Sequence, residues 1–98
     1  MFYTYVLLSE LDQALYIGFT NDLKKRFSEH NKGMVSSTKA RRPLKLVYYE
    51  ACMSEKDALK REKYFKTGYG RRYLKNRLEN FLQNIKSYNT EDQDRCIS

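Results

Sequence analysis

Tryptophan is absent from this 98-residue chain, histidine and proline occur once each, as His30 and Pro43, and cysteine occurs only twice. Each scarcity excludes a class of protein. One histidine and two distant cysteines, Cys52 and Cys96, cannot assemble a zinc site, because neither cysteine belongs to a Cys-x-x-Cys pair. Free thiols are expected, and nothing around Cys52 forms the turn that a Cys52/His30 nucleophilic pair would need. No apolar run approaches the roughly 20 residues of a membrane span, and the start of the chain lacks the basic stretch and small-residue cleavage site of a secretory signal. A cytoplasmic protein with no membrane contact is therefore expected. The length allows one small domain, which rules out a two-lobed enzyme or a deep cofactor cavity and leaves a shallow site on the face of a small sheet.

Positive charge and tyrosine are abundant instead. Lys and Arg number 19 against 12 Asp and Glu, a net charge of +7, and there are nine tyrosines. The last twelve residues carry Glu91, Asp92 and Asp94 against Arg95, with Ile97 as the one bulky aliphatic. Residues 87–98 therefore read as a disordered acidic tail, behind a domain of residues 1–86 that holds 18 basic and 9 acidic side chains. Between Lys56 and Arg77 nine cations are interrupted only by Asp57 and Glu62, and Tyr64, Tyr69 and Tyr73 interleave with them. A solvated helix face would explain the cations; the rings favour nucleic acid, since aromatic faces stack on bases while Lys and Arg meet phosphates.

The hydrophobic pattern gives an α+β chain in the order β-β-α-β-α-α. Phe2–Ser9 and Ala14–Phe19, rich in aromatic and β-branched residues, form a hairpin around the polar turn 10–13. Thr20 or Asn21 caps a first helix with Asp22 in its opening turn and Leu23 and Phe27 on one face, and Lys32-Gly33 stops it. A polar, basic loop, Met34–Pro43, leads to a third strand, Leu44–Ala51. Ser54-x-x-Asp57 opens a second helix that Gly68 ends, and Leu74, Leu78, Phe81, Leu82 and Ile85 form the apolar stripe of a third. Gly68-x-Gly70 follows a helix rather than a strand, so it is no dinucleotide fingerprint. The fold expected is a small three-stranded antiparallel sheet flanked by helices.

Four features carry chemistry. Tyr5 and Tyr16 sit on neighbouring strands, where their phenols can converge on one face or simply pack it. Arg26 and His30, four apart, share one side of the first helix, as a site or as an exposed polar face. Glu62 is a lone carboxylate among Lys60, Arg61, Lys63 and Lys66, either a metal anchor or an i, i+4 partner of Lys66. The fourth feature is the Lys66-Thr67-Gly68-Tyr69-Gly70-Arg71 turn.

In order, these features resemble the GIY-YIG nuclease family. Tyr3-Thr4-Tyr5-Val6-Leu7-Leu8 stands where the family's first motif ends in its tyrosine, and Tyr16-Ile17-Gly18 is the second motif verbatim. Asn21-Asp22-Leu23-Lys24-Lys25-Arg26-Phe27-Ser28-Glu29-His30 resembles the family's N-x-L-x-x-R-x-x-x-H helix, and Ala58-Leu59-Lys60-Arg61-Glu62-Lys63 the helix that carries its metal-binding glutamate. Lys66–Lys75 is similar to the ending of short stand-alone bacterial members, so the likeness spans residues 2 to about 82. Tyr3 and Thr4 replace the first motif's glycine and isoleucine; Phe19 stands where one branch has a lysine, leaving His30 as the substitute partner; and neither Asn76 nor Asn80 is assigned to the family's late asparagine.

The resemblance implies an endonuclease that hydrolyses DNA phosphodiesters with one divalent metal, Mg²⁺ or Mn²⁺, in repair or recombination. Tyr5, Tyr16, Arg26 and His30 become the catalytic set and Glu62 the metal ligand, which suits an ion that keeps several waters and needs one protein carboxylate. Arg26 holds the scissile phosphate, and Tyr5 or Tyr16 activates water, its proton affinity lowered from a free pKa of about 10 by Arg26 and His30. The expected phosphate contacts are Arg41, Arg42, Lys60, Lys63, Lys66, Arg71, Arg72 and Lys75. A nucleic-acid-binding module that keeps the fold without efficient cleavage is the alternative, and a protein partner stays open.

Overall fold

The structure is a computed structural model that describes residues 1–85 and the backbone of 96–97. Two strands, β1 (Phe2–Ser9) and β2 (Leu15–Thr20), pair antiparallel with Tyr5 opposite Gly18 and Leu7 opposite Tyr16. Ser9 and Asp12 organise the turn between them: the Ser9 hydroxyl oxygen accepts from Leu11 and Asp12 N–H, and Asp12 Oδ1 accepts from Ala14 N–H at 2.9 Å. On the other side of β1 runs β3 (Leu44–Cys52), also antiparallel, with its register shifted between Val6 and Leu7. The central position of β1 explains its unbroken apolar run, because six consecutive residues, Thr4–Ser9, are buried.

Alternation along β1 and β2 divides the core into two layers. Val6, Leu8, Leu15 and Ile17 point to one face and meet Phe65 and Leu74; Tyr5, Leu7, Ala14, Tyr16 and Leu44 point to the other and meet Leu23 and Phe27. Leu23 and Phe27 belong to α1 (Leu23–Asn31), Phe65 to α2 (Glu55–Phe65) and Leu74 to α3 (Gly68–Arg77). The three-stranded antiparallel sheet is therefore covered by α1 on one face and by α2 and α3 on the other. Val6 and Leu7 are fully shielded from solvent, each stabilising the fold by about 1.5–3 kcal/mol through burial.

Several boundaries differ from those the sequence suggests. The N-cap of α1 is Asp22, whose Oδ1 accepts from Lys25 N–H at 3.1 Å, because Thr20 still belongs to β2 and spends its hydroxyl on Asp22's backbone. Gly68 does not end α2 but begins α3: Thr67 caps α3 by accepting Gly70 N–H at 3.1 Å, and the chain turns within Lys66-Thr67. Gly70 makes that corner possible, since a Cβ there would overlap the Tyr64 carbonyl. The third helix is also shorter than its stripe implies, breaking at Leu78 (φ −107°, ψ 18°) before α4 (Glu79–Gln83). Leu78 and Leu82 stay buried across the break, so the pattern cannot reveal it.

A two-residue strand, β4 (Cys96–Ile97), lies parallel to β2 beside Leu15 and Tyr16. Apart from these two residues, the acidic tail expected over 87–98 lies outside the described residues. Cys52 is a free thiol that donates to the Ser54 carbonyl.

Candidate active site

The diagonal placement of Tyr5 and Tyr16 on the α1 face follows from the hairpin register, Tyr5 facing Gly18 and Tyr16 facing Leu7. The Tyr5 ring crosses the backbone at Gly18, where an added Cβ would fall on the ring carbon and hydroxyl oxygen. Glycine at this position is therefore a requirement of the tyrosine. Beyond it opens a cleft of about 250 Å³ lined by Tyr5, Tyr16, Gly18, Arg26, His30 and Glu62, so the four expected catalytic residues and the expected metal ligand come together. Helix α1 supplies Arg26 and His30 on one side, and α2 brings Glu62 from the opposite face of the sheet.

His30 is 4 % exposed, and both ring nitrogens are bonded. Nε2 lies 2.9 Å from the Tyr5 hydroxyl and Nδ1 lies 2.7 Å from Oγ1 of Thr38, which is fully buried. Thr38 comes from the loop between α1 and β3, where a short 3-10 turn (Lys39–Arg41) follows it. Neither Thr38 nor its loop neighbours Val35 and Ser37, which also line the cleft, stand out in the sequence as site residues. The only available signal is a small hydroxyl residue eight positions after a histidine.

Electrostatics within the cleft reverse one expectation. Burial holds the His30 pKa down to about 4, reinforced by the Arg26 guanidinium, so the imidazole is neutral near pH 7. A neutral His30 cannot lower the Tyr5 pKa by charge. Burial also pushes the Tyr5 phenol up from 10.0; Arg26, which donates toward the same oxygen, opposes the rise without cancelling it, and Glu62 and Glu29 add to it. Tyr5 is therefore a protonated phenol at rest, its hydroxyl 2.9 Å from the neutral His30 ring. The Tyr16 hydroxyl is buried as well and lies within electrostatic reach of Arg41.

Arg26 bonds Glu29 at 3.2 Å yet stays partly open to solvent, and Glu62 pairs with Lys66 at 3.4 Å. Among the described residues no group of three or more His, Cys, Asp or Glu gathers to hold a metal. The donor set is instead the single carboxylate of Glu62, a hard oxygen ligand that fits Mg²⁺ or Mn²⁺ when phosphate and water complete the shell.

The expected phosphate contacts fall into two groups. Lys60, Lys63, Arg72 and Lys75 are exposed, with Arg72 lying over the Tyr69 ring at 4.9 Å. Arg41 pairs with Asp12, Arg42 donates to the Lys39 carbonyl, Arg71 donates to the Lys66 carbonyl and Lys66 meets Glu62, so these four also hold local structure. Arg61, within the same run of cations, points elsewhere. Its guanidinium lies 4.6 Å from the Phe65 and Tyr73 ring centres and 5.0 Å from that of Tyr64, and it grips Glu50 with two bonds of 2.7 and 3.1 Å.

Residues 1–76 match the family model of the GIY-YIG catalytic domain. The chain belongs to the GIY-YIG family. It is similar to UPF0213 proteins: one from Bacillus pumilus is 46% identical over 66 residues, covering 66% of each chain, so the match spans just under two thirds of that relative. One from Clostridium perfringens is 43% identical over 67 residues, 67% of this chain and 71% of the relative. Another, from Pediococcus acidilactici, is 41% identical over 81 residues, covering 76% and 82%. The solution NMR structure of a UPF0213 protein from Bacillus halodurans covers 95% of this chain and 93% of its own, at 26% identity and a TM-score of 0.48. The GIY-YIG domain implies a nuclease-type fold, and among the described residues no helix is long and apolar enough to cross a membrane.

Proposed function

We propose that the protein is a metal-dependent endonuclease that hydrolyses DNA phosphodiesters, with repair or recombination as its setting. The observation that carries this reading is the line Tyr5–His30–Thr38, buried behind a cleft whose open side presents Arg26 and Glu62. A module that only binds DNA needs exposed cations, and gains nothing from a buried phenol hydrogen-bonded to a neutral imidazole.

In this reading Arg26 binds the scissile phosphate and offsets the charge that builds in the transition state, a task suited to a planar, permanently charged guanidinium. Tyr5 takes a proton from the attacking water while passing its own to His30 Nε2. This transfer uses the tautomer in which Nδ1–H donates to Thr38 and Nε2 is the acceptor. The bound phosphate offsets Arg26, which eases protonation of His30 at the moment it is needed. Tyr16 packs beside Tyr5 and orients the nucleophile. Glu62 would hold the divalent ion, which supplies charge neutralisation at the phosphate oxygens. Lys60, Lys63, Arg72 and Lys75, together with Arg41, Arg42, Lys66 and Arg71, contact the backbone, giving affinity without sequence preference.

Cleavage of a panel of labelled duplex, flap, branched and single-stranded DNA with Mg²⁺ or Mn²⁺ tests the proposal. The parent should cleave at least one structure, and Glu62→Gln should lose cleavage at limiting metal while retaining binding. Binding without cleavage by the parent, under every metal and structure, would select the binding-module alternative.

A further inference from the structure

On the other flank of α1 lies a second, larger recess of about 510 Å³, walled by Tyr3, Tyr49, Phe27 and Leu46, with Asn21 and Lys24 at its mouth. Its outer wall is not core filler: Tyr49 is 52% exposed, and its ring meets Tyr3 edge-on at 6.0 Å. The sheet ties this recess to the active site. Tyr3 lies two residues from Tyr5 on the same face of β1, about 7 Å along the strand, and Tyr49 is the register partner of Tyr5 on β3. Around the start of α1 a shallow groove containing Thr20, Asn21, Lys25, Arg26 and Glu29 joins the two, sharing Arg26 with the cleft and Asn21 with the recess.

We infer that this recess receives an unpaired nucleobase of the strand whose phosphate lies at Arg26, which makes single-stranded or locally unpaired nucleic acid the substrate class. The inference rests on the nuclease reading for the position of that phosphate. The groove leads from Arg26 to Asn21 at the recess, so a strand rounding the start of α1 brings a neighbouring base to Tyr49. The walls offer aromatic surface for stacking, and the Asn21 amide at the mouth offers both a donor and an acceptor to a base edge. Lys24, Lys25 and Arg26 line the route for phosphates. The acids there are already engaged, Glu29 with Arg26 and Asp22 with Lys25 N–H. Bases inside an intact duplex are stacked on one another and cannot enter, so the recess selects for unpaired strands.

The test uses a single-stranded oligonucleotide carrying the fluorescent base 2-aminopurine, with a duplex of equal length for comparison, both without divalent metal so that nothing is cleaved. The parent should quench 2-aminopurine and bind the single strand more tightly. Tyr49→Ala should weaken single-strand binding about tenfold and abolish quenching, with duplex affinity unchanged, whereas Tyr49→Phe keeps the ring and should behave as the parent. Tyr3→Ala, checked by circular dichroism, provides a second probe of the same wall. Equal affinity loss on duplex and single strand, or no loss with Tyr49→Ala, would overturn the inference. Because the readout is binding, quenching that depends on Tyr49 supports the recess even if no cleavage is found, whereas cleavage that is indifferent to Tyr49 overturns the recess and leaves the nuclease reading intact.

Discussion

The Tyr5 hydroxyl meets Nε2 of His30 at 2.9 Å, joining the central strand to the helix packed over it through two side chains that are both almost wholly buried. With the phenol pKa raised and the imidazole pKa held down at about 4, both members of the resting pair are neutral.

Tyr5→Phe keeps the ring over Gly18 and removes the proton that His30 would receive. Turnover on the cleaved substrate should fall by about 10² or more, the scale of general-base catalysis, while DNA affinity holds. Single-turnover kinetics separate the two quantities. An unchanged rate constant would confine Tyr5 to packing and move the base to Tyr16.

Thr38→Val replaces a hydroxyl with a methyl of similar size and leaves His30 Nδ1 without its 2.7 Å partner. The imidazole then loses the bond that fixes which nitrogen carries the proton. The rate constant should drop about tenfold with KM little changed, and stability should fall by about 1–3 kcal/mol for the orphaned buried donor. Thr38→Ser should restore much of both. If Val behaves as the parent while Ser fails, the methyl group's packing is the relevant contribution instead.

Stability should also depend on pH through His30. In the unfolded chain its pKa is 6.5 and in the folded protein about 4, so between these values the unfolded state binds more protons and unfolding becomes harder as pH rises. The contribution is fully present above pH 6.5 and is lost as pH falls toward 4, with a slope of at most about 1.4 kcal/mol per pH unit. Glu50 contributes with the same sign: burial pushes its carboxyl up, but the bonds from Arg61 and Tyr48 hold it below 4.5. Urea titrations of the parent and of His30→Gln across pH 4–7 isolate the histidine, and parallel curves for the two would refute its role.

Gly18→Ala places a methyl group against Tyr5. Relief requires the ring to leave its position over the strand, so overpacking should cost about 1–3 kcal/mol and cleavage should fall with it. Thermal melts and cleavage rates on one preparation check both effects.

Motif residues with a fixed local geometry were the most legible in the sequence. Strand alternation places Tyr5 and Tyr16 on one face, the helical period places Arg26 beside His30, and Gly68-Tyr69-Gly70 marks a corner, although Thr67 rather than glycine sets its start. Contacts made by loops and by distant elements were not legible. Nothing local announces that Thr38 reaches His30, and the break at Leu78 hides within an unbroken apolar stripe. Arg61 reads as one more cation because its partners, Glu50 on β3 and Tyr73 on α3, come to it only through the tertiary fold. Charge composition likewise suggests phenol activation by cations, whereas burial decides it.

The aromatic seat of Arg61 separates structural cations from nucleic-acid-binding ones. A guanidinium can stack between rings and grip Glu50 with two parallel bonds; an ammonium can do neither. Arg61→Lys keeps the charge and should still destabilise the protein by about 1–2 kcal/mol, lowering the melting temperature by roughly 4–8 °C per kcal/mol for a domain of this size. Its log-log salt slope for DNA binding should match the parent's. Lys63→Ala, at an exposed position on the same helix, should do the reverse, leaving the melting temperature alone and reducing the slope by about one. Melting curves with anisotropy titrations from low to physiological salt measure both quantities for both variants. A reduced slope in Arg61→Lys would return Arg61 to the phosphate-binding surface.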